Sequence, residues 1–235
     1  TKELVSDISH QLKTPVAALD TCFSVLLREN LSEEERKEFQ VRCRCALDGL
    51  EVLLQSLLQI SKMEAGLIQI NREKLPLMET IISAVNRVYP NAGAKEIEFV
   101  FDYDEALEND CILQDKKWLG EAFINVFDNA IKYSPAGSEV YVRIQKRTDF
   151  IRIEIEDNGV GIPKAEYHKI FQRFFRGSLP EVKEENGSGI GLFLSRKIIE
   201  QHGGTITVSS NLELKKELDG KTGSVFIIQL PDNTK

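Results

Sequence analysis

The sequence predicts an α plus α/β chain: a helical hairpin that pairs with a second copy into a four-helix bundle, then a mixed α/β domain. Three observations carry this reading. Apolar residues recur at heptad spacing through the first part of the chain, up to Ile60. After Gly66 the pattern changes to segments alternating with period two. Stretches with helical spacing lie between those segments.

The first helix runs from residue 1 to about 28, with Leu12, Pro15, Leu19, Cys22 and Leu26 stepping by 3, 4, 3 and 4, and Leu4 and Ile8 upstream. Ser32 and Glu35 then form a capping-box signature for a second helix. That helix carries Phe39, Cys43, Ala46, Leu50, Leu53, Leu57 and Ile60 in one register, and Leu47, Leu54 and Leu58 widen the stripe. One hairpin cannot bury so wide a stripe, and two copies can, so a homodimer is expected. The domain boundary is placed at Gly66, giving domains 1–66 and 67–235. Beyond it, "LIQINRE" reads as a strand and Pro76 to Tyr89 as an amphipathic helix ended by Pro90. "IEFVFDYD" reads as a strand and 115–133 as a helix. "EVYVRIQKR" and "DFIRIEIED" read as a hairpin, a helix follows Gly189, and "GTITVSS" and "SVFIIQLP" read as strands. "LPEVKEEN" is expected to be a mobile loop, and "LELKKELDGKTG" a solvated hairpin tip.

Composition sets limits. The 235 residues suffice for a real core, with 42% hydrophobic and 29% charged residues. A net charge of −7 argues against a nucleic-acid or anionic-membrane surface. Cys22, Cys43, Cys45 and Cys111 lack zinc-type spacing and are too few for a disulfide scaffold, which predicts reduced thiols in the cytoplasm. The sequence has no run of 18 apolar residues and no signal peptide, and it opens abruptly in a helical pattern, as a fragment of something longer would.

Five local features bear on function. His10 lies about 200° round the helix from Ile8 and Leu12 and is expected to face solvent, with Lys13 and Thr14 on its face. Pro15 removes a backbone donor and crowds the carbonyl of Gln11, so the helix should bend there. In "EAFINVFDNAIKYSP", Glu121, Asn125, Asn129 and Lys132 form a polar row opposite Leu119, Ala122, Phe123, Val126 and Ala130. Such a row can hold hydrated Mg²⁺ and polyphosphate through hard oxygen ligands, or it is a solvated face. In "EDNGVGIP", Asp157 ends an alternating strand, where its carboxylate can accept from an exocyclic amine such as that of adenine. Gly159 and Gly161 allow close backbone approach, or form a simple turn. In "NGSGIGLFLSRK", Gly187, Gly189 and Gly191 run into a helix whose N-terminal amides suit a phosphate. In "FQRFFRG", the aromatics Phe171, Phe174 and Phe175 are expected as core or lid anchors, with Arg173 and Arg176 able to reach phosphates.

Taken in order, these segments resemble the sensor histidine kinases of two-component systems, whose ATP-binding fold is shared with DNA gyrase and MutL. "SHQLKTP" is similar to the phosphoacceptor box, "NVFDNAIKY" to the asparagine box, and "DNGVGIP" and "GSGIGL" (ending at Leu192) to the two glycine boxes, with "FQRFF" between them. The resemblance covers nearly the whole chain. It implies a dimerisation and phosphotransfer hairpin over 1–66 and an ATP-binding α/β sandwich over 67–235. It implies that His10 takes the γ-phosphate of ATP and passes it to an aspartate of a response regulator. It assigns Mg²⁺ to Asn125 and Asn129, phosphate to Lys132, the sugar to Tyr133, and the adenine amine to Asp157 beside Gly159 and Gly161. It places a closing lid over about 177–188. A sensor and membrane segments are expected ahead of residue 1 of a longer protein, with membrane attachment only through them.

One position departs from the family. Most relatives carry an acid directly after the histidine, and this chain has Gln11. The glutamine amide can orient the imidazole but cannot take its proton. Weak autophosphorylation is therefore expected, and the competing reading is an ATP-binding interaction module with little or no kinase activity. A gyrase- or MutL-like ATPase would leave "SHQLKTP" and the heptad hairpin unexplained. Thr14, which in relatives helps place the water that dephosphorylates the regulator, is retained. His168 is expected to be exposed, and His202 to end a helix before a glycine turn.

Overall fold

The computed structural model describes residues 2–28, 30–64, 70–185, 187–210 and 222–232. Contacts divide the chain into two compact units: Thr1–Ile68 with Asn186–Ile190, and Gln69–Glu185 with Gly191–Lys235.

The first unit is a helical hairpin, α1 (Lys2–Leu26) and α2 (Glu33–Glu64). The predicted capping box forms in both directions. Glu35 N–H donates to Ser32 Oγ at 3.2 Å, and Ser32 N–H donates to Glu35 Oε2 at 2.9 Å. Those bonds hold the Glu35 carboxyl below its usual range. Cys22, Leu53 and Ile60 are buried, whereas Leu47, Leu54 and Leu58 are about half exposed, at 49, 58 and 53%. The wide stripe is thus only partly covered by one hairpin. Pro15 sits inside α1 without ending it.

The second unit is a sheet with helices on one face. Its five strands run in the order β2 (Glu98–Tyr103), β4 (Glu139–Lys146), β5 (Phe150–Glu156), β7 (Ser224–Pro231) and β6 (Thr205–Ser210). β2 is parallel to β4 and the remaining pairs are antiparallel. The predicted β4–β5 hairpin pairs Ile144 with Ile153 and Val142 with Ile155. Val140, Val142, Ile151, Ile153, Ile155 and Ile228 are buried on one face. The alternate residues Arg143, Arg152 and Glu154 form ion pairs on the other. Helix α4 (Lys116–Tyr133) lies between α3 (Leu77–Ala94) and α6 (Gly191–Gln201) on the apolar face. Its Phe127 ring meets Phe99 of β2 edge-on, at 5.6 Å between centroids.

Several local expectations are corrected. The first strand of this unit is β1 (Glu73–Pro76), not "LIQINRE"; Ile70–Arg72 are not strand, and residues 65–69 lie outside the described ones, as does the boundary at Gly66. β1 pairs with β3 (Cys111–Gln114), a four-residue strand too short to show alternation in the sequence. Helix α3 runs through Pro90 to Ala94. Pro90 is exposed, and burial of Val88 and Ala92 on either side keeps the helix going. "LPEVKEEN" contains a short helix, α5 (Pro180–Glu184), started by proline at its first position. The expected tip "LELKKELDGKTG" falls mostly on residues outside the described ones.

Candidate nucleotide-binding site

Helix α4 presents the predicted polar row. Asp115 caps its start, accepting from Trp118 N–H at 3.2 Å. Leu119, Ala122, Phe123, Val126 and Ala130 are buried, which leaves Asn125, Asn129 and Lys132 half-buried on the far side. Glu121 of the same row is engaged elsewhere, paired with Arg87 of α3 at 2.5 Å. Gly191, the first residue of α6, lies against Asn125: a Cβ added there would come within 3.2 Å of Asn125 Oδ1. Lack of a side chain at Gly191 lets the start of α6 pack closely against that carboxamide. Two neutral carboxamides one turn apart are hard oxygen donors, so the residues fit Mg²⁺ held together with phosphate oxygens and water. The fully buried Ser195 braces this arrangement, its Oγ donating to Ala122 O at 3.0 Å across the α4–α6 contact.

Asp157 follows directly on β5 and is 5% exposed. Its Oδ1 accepts from Gly159 N–H at 2.9 Å and from Ser224 N–H at 3.0 Å. Its own N–H donates to Ser224 O at 2.9 Å. Burial pushes its carboxyl up to about 6, against the pull of the two backbone N–H groups, and the neighbouring Glu156 adds to the rise. Gly159 cannot carry a side chain, because a Cβ would lie 2.7 Å from the Tyr133 carbonyl oxygen. Thr222 Oγ1 donates to Gly159 O at 2.9 Å, and Gly161 has φ of +75°. A buried carboxylate is thereby fixed beside the last turn of α4.

That last turn carries Lys132 and Tyr133. Lys132 Nζ lies 5.2 Å from the centroid of the Tyr133 ring. Burial lowers its pKa; Glu185 opposes that fall and Arg176 adds to it. Burial likewise raises the Tyr133 hydroxyl. Lys95, just past α3, donates from Nζ to the carbonyls of Lys132 at 2.7 Å, Ile131 at 3.2 Å and Ser134 at 3.5 Å.

Phe171 and Phe174 are buried, and Phe174 adopts φ of +59°. Arg173 stacks over Phe193, 4.8 Å from the ring centroid. Arg176 acts electrostatically on Lys132 and is bonded to backbone carbonyls. Its Nη2 donates to the carbonyls of Val182 at 2.6 Å, Lys183 at 3.2 Å and Glu185, closing the end of α5. Glu166 accepts from Ser178 N–H with both oxygens, at 3.2 and 3.4 Å.

Against known families, residues 1–66 match the His Kinase A (phospho-acceptor) domain. Residues 114–234 match the histidine kinase-, DNA gyrase B- and HSP90-like ATPase family. This chain belongs to the sensor histidine kinases. It is 32% identical to the sensor-like histidine kinase SenX3 of Mycobacterium tuberculosis over 236 aligned residues, covering 98% of this chain and 53% of SenX3. It is 31% identical to the sensor protein kinase WalK of Staphylococcus aureus, covering 96% of this chain and 52% of WalK. The chain thus spans about half the length of these relatives. The crystal structure of histidine kinase ThkA in complex with response regulator protein TrrA has the same fold, with a TM-score of 0.74 at 22% identity, over 98% of this chain and 61% of that one.

The residues singled out from the sequence fall in both units. Asn125, Asn129, Lys132, Tyr133, Asp157, Gly159, Gly161, Arg173, Gly191 and half-buried Leu192 lie in the α/β unit. Gly187 and Gly189 group with the hairpin unit, and Gly189 has φ of +68°. The helix after the glycine triplet begins at Gly191. His10, Gln11 and Thr14 lie on α1, with Lys13 and Thr14 exposed. The side chains of His10 and Gln11 fall outside the described residues, and so does the expectation that His10 faces solvent. No described helix is long and apolar enough to cross a membrane.

Sequence reasoning passed over Lys95, Ser195 and Glu166, none of which lies at a motif position that signals a role. It also assigned too little to His202. His168 is exposed as expected, but His202 is 1% exposed and bonded through both ring nitrogens. Nδ1–H donates to Ile198 O at 2.7 Å, and Nε2 accepts from Asp115 N–H at 3.0 Å; these partners assign the neutral Nδ1-protonated tautomer. Burial lowers the His202 pKa below its ordinary 6.5. A lowered folded-state pKa means stability that is present above 6.5 and lost as pH falls below it. Asp157 works in the opposite sense, its raised pKa costing stability as pH rises through about 6. The prediction is therefore a difference. Between pH 7 and 5.5, wild type should lose more melting temperature than His202→Gln, which itself should be less stable at pH 7 by about 1–3 kcal/mol. Parallel melting curves across that range would refute it.

Proposed function

We propose that this chain is a histidine kinase core. Residues 67–235 bind ATP with Mg²⁺, and residues 1–66 dimerise and carry the phosphoacceptor His10. The observation that carries the reading is the buried Asp157 carboxylate, fixed by Gly159 and Ser224 N–H beside the end of α4. An adenine exocyclic amine is a donor of the kind such a carboxylate accepts. Asp157 recognises the base, with Gly159 and Gly161 admitting it closely. Tyr133 meets the sugar, and Lys132 and Arg173 meet phosphate. Asn125 and Asn129 hold Mg²⁺, and Gly187, Gly189, Gly191 and Leu192 form the phosphate-side turn. Bound Mg²⁺ supplies charge neutralisation on the polyphosphate.

Neutral His10 attacks the γ-phosphorus in line through a ring nitrogen. The nitrogen–phosphorus bond forms as the bond to the β,γ-bridging oxygen breaks, ADP leaves with that electron pair, and the remaining ring proton passes to water or the nucleotide. Positioning and charge stabilisation dominate such a transfer. Phospho-His10 then donates to an aspartate of a response regulator; Thr14 keeps the position that in relatives places the water hydrolysing the regulator's phospho-aspartate, whereas Gln11 stands where they carry the acid. The half-exposed Leu47, Leu54 and Leu58 support a second copy packing against the hairpin.

The test is incubation of the wild-type chain with γ-labelled ATP and Mg²⁺. The expected product is protein-bound label released by acid and stable to alkali. ATP hydrolysis without protein-bound label would refute the reading.

Gln11 sets the rate. It can hold the His10 ring but cannot accept its proton, and general base assistance is worth roughly 10²–10⁴-fold in favourable cases. Gln11→Glu is expected to raise the initial labelling rate by at least about 10-fold. An unchanged or lower rate would show that proton removal at this position does not limit the transfer.

A further inference from the structure

Lys95 directly follows α3, yet its ammonium serves the far end of α4. The carbonyls it bonds, those of Ile131, Lys132 and Ser134, belong to the end of that helix, where carbonyls lack intrahelical partners. A cation there also meets the negative end of the helix dipole. Its own backbone is tied down as well: Lys95 N–H donates to Ala92 O at 3.0 Å, and Lys95 O accepts from Gly137 N–H at 2.9 Å. The side chain is therefore a short strut between two fixed points.

The turn it holds touches both halves of the candidate site. Lys132 and Tyr133 project from it, and the Tyr133 carbonyl is the wall against which Gly159 is pressed. Gly159 in turn donates to Asp157. A small rotation of this turn would shift the Asp157 loop and the Lys132 ammonium together.

We propose that Lys95 is a positioning residue for nucleotide binding: it fixes the last turn of α4 and, through Tyr133 and Gly159, the spacing between the base-recognising carboxylate and the polyphosphate-binding row. This rests on the ATP-binding reading above. The strut acts on geometry, so its loss weakens ADP and ATP equally. A purely Coulombic role would weaken ATP more, because ATP carries the larger charge.

The experiment compares wild type, Lys95→Met, Lys95→Arg and Lys116→Met. Lys116 pairs with exposed Glu79 at the opposite end of α4 and serves as the control. Autophosphorylation is measured against ATP concentration, ADP affinity by calorimetry, and folding by melting curves. In Lys95→Met, the KM for ATP and the Kd for ADP should rise by the same factor, about tenfold, with a much smaller fall in kcat. Lys95→Arg should return to within about twofold, since a guanidinium can donate to the same carbonyls. Lys116→Met should match wild type. Should Lys95→Met fail to fold, Lys95→Gln gives the same comparison with a shorter donor.

Three results would overturn the proposal. One is unchanged KM and Kd with only a lowered melting temperature. The second is a loss for ATP that exceeds that for ADP and disappears in about 0.5 M salt. The third is an equal loss in Lys116→Met. If wild type itself binds neither nucleotide, the ATP-binding reading falls and the role of Lys95 with it; wild-type binding with an unaffected Lys95→Met overturns the Lys95 role alone.

Discussion

His10→Ala is expected to remove acid-labile label from the protein, lowering it by at least about 10³-fold, while ATP still binds. Alanine has a higher helix propensity than histidine, so α1 should be no weaker for the change. His10 belongs to the hairpin unit, whereas Asp157, Asn125, Asn129 and Lys132 belong to the α/β unit. Loss of label with retained ATP affinity would separate the phosphoacceptor from the nucleotide site. Label that persists in His10→Ala would move the acceptor elsewhere. His168 is exposed, whereas both ring nitrogens of buried His202 are already bonded, so His168 would then be the first histidine to replace.

Asp157→Asn is expected to weaken ATP binding by about 100-fold, the scale of a lost hydrogen bond to a charged group. The empty protein should be at least as stable at pH 7.5, because the substitution removes an ionised carboxyl from a buried position. The argument is one of linkage. A carboxyl raised from 3.8 to about 6 contributes stability below its ordinary pKa and loses it as pH rises through about 6. Binding a donor such as the adenine amine favours the ionised form and offsets that cost. Wild-type affinity should therefore fall as pH drops below about 6, by up to tenfold per pH unit, and the asparagine variant should lose this dependence. Calorimetric titrations at pH 5.5, 6.5 and 7.5 test both points. Affinity within threefold of wild type and an unchanged pH slope would place the base elsewhere.

Much of the site was legible because its residues break the patterns around them. Asn125 and Asn129 are neutral where a solvated helix face would more often carry charge. Asp157 ends an alternating strand, and Gly159 and Gly161 stand in a short acidic and glycine-rich run. The heptad spacing and the Ser32–Glu35 box announced the hairpin and its second helix. Other features left no such trace. β3 is four residues long and gains its meaning only from pairing with β1. Pro90 looks like a helix stop until Val88 and Ala92 are seen buried around it. His202 reads as a helix-end residue, and its partner Asp115 N–H lies 87 positions away in the chain.

The sequence by itself determined the division into a helical and an α/β part, the core face of the main helices and strands of the α/β part, and the residue types gathered at the candidate site. Those properties follow from local periodicity and side-chain chemistry, which the chain carries whatever its fold. Tertiary structure alone decided which backbone groups hold the site in place: the carbonyls that Lys95 bonds, the two N–H groups that fix Asp157, and the close approach that forbids a side chain at Gly159. Apart from the Gly159 N–H bond, two residues from Asp157, these are contacts between segments distant in sequence. Their partners are mostly main-chain atoms, which every residue possesses and no motif can mark.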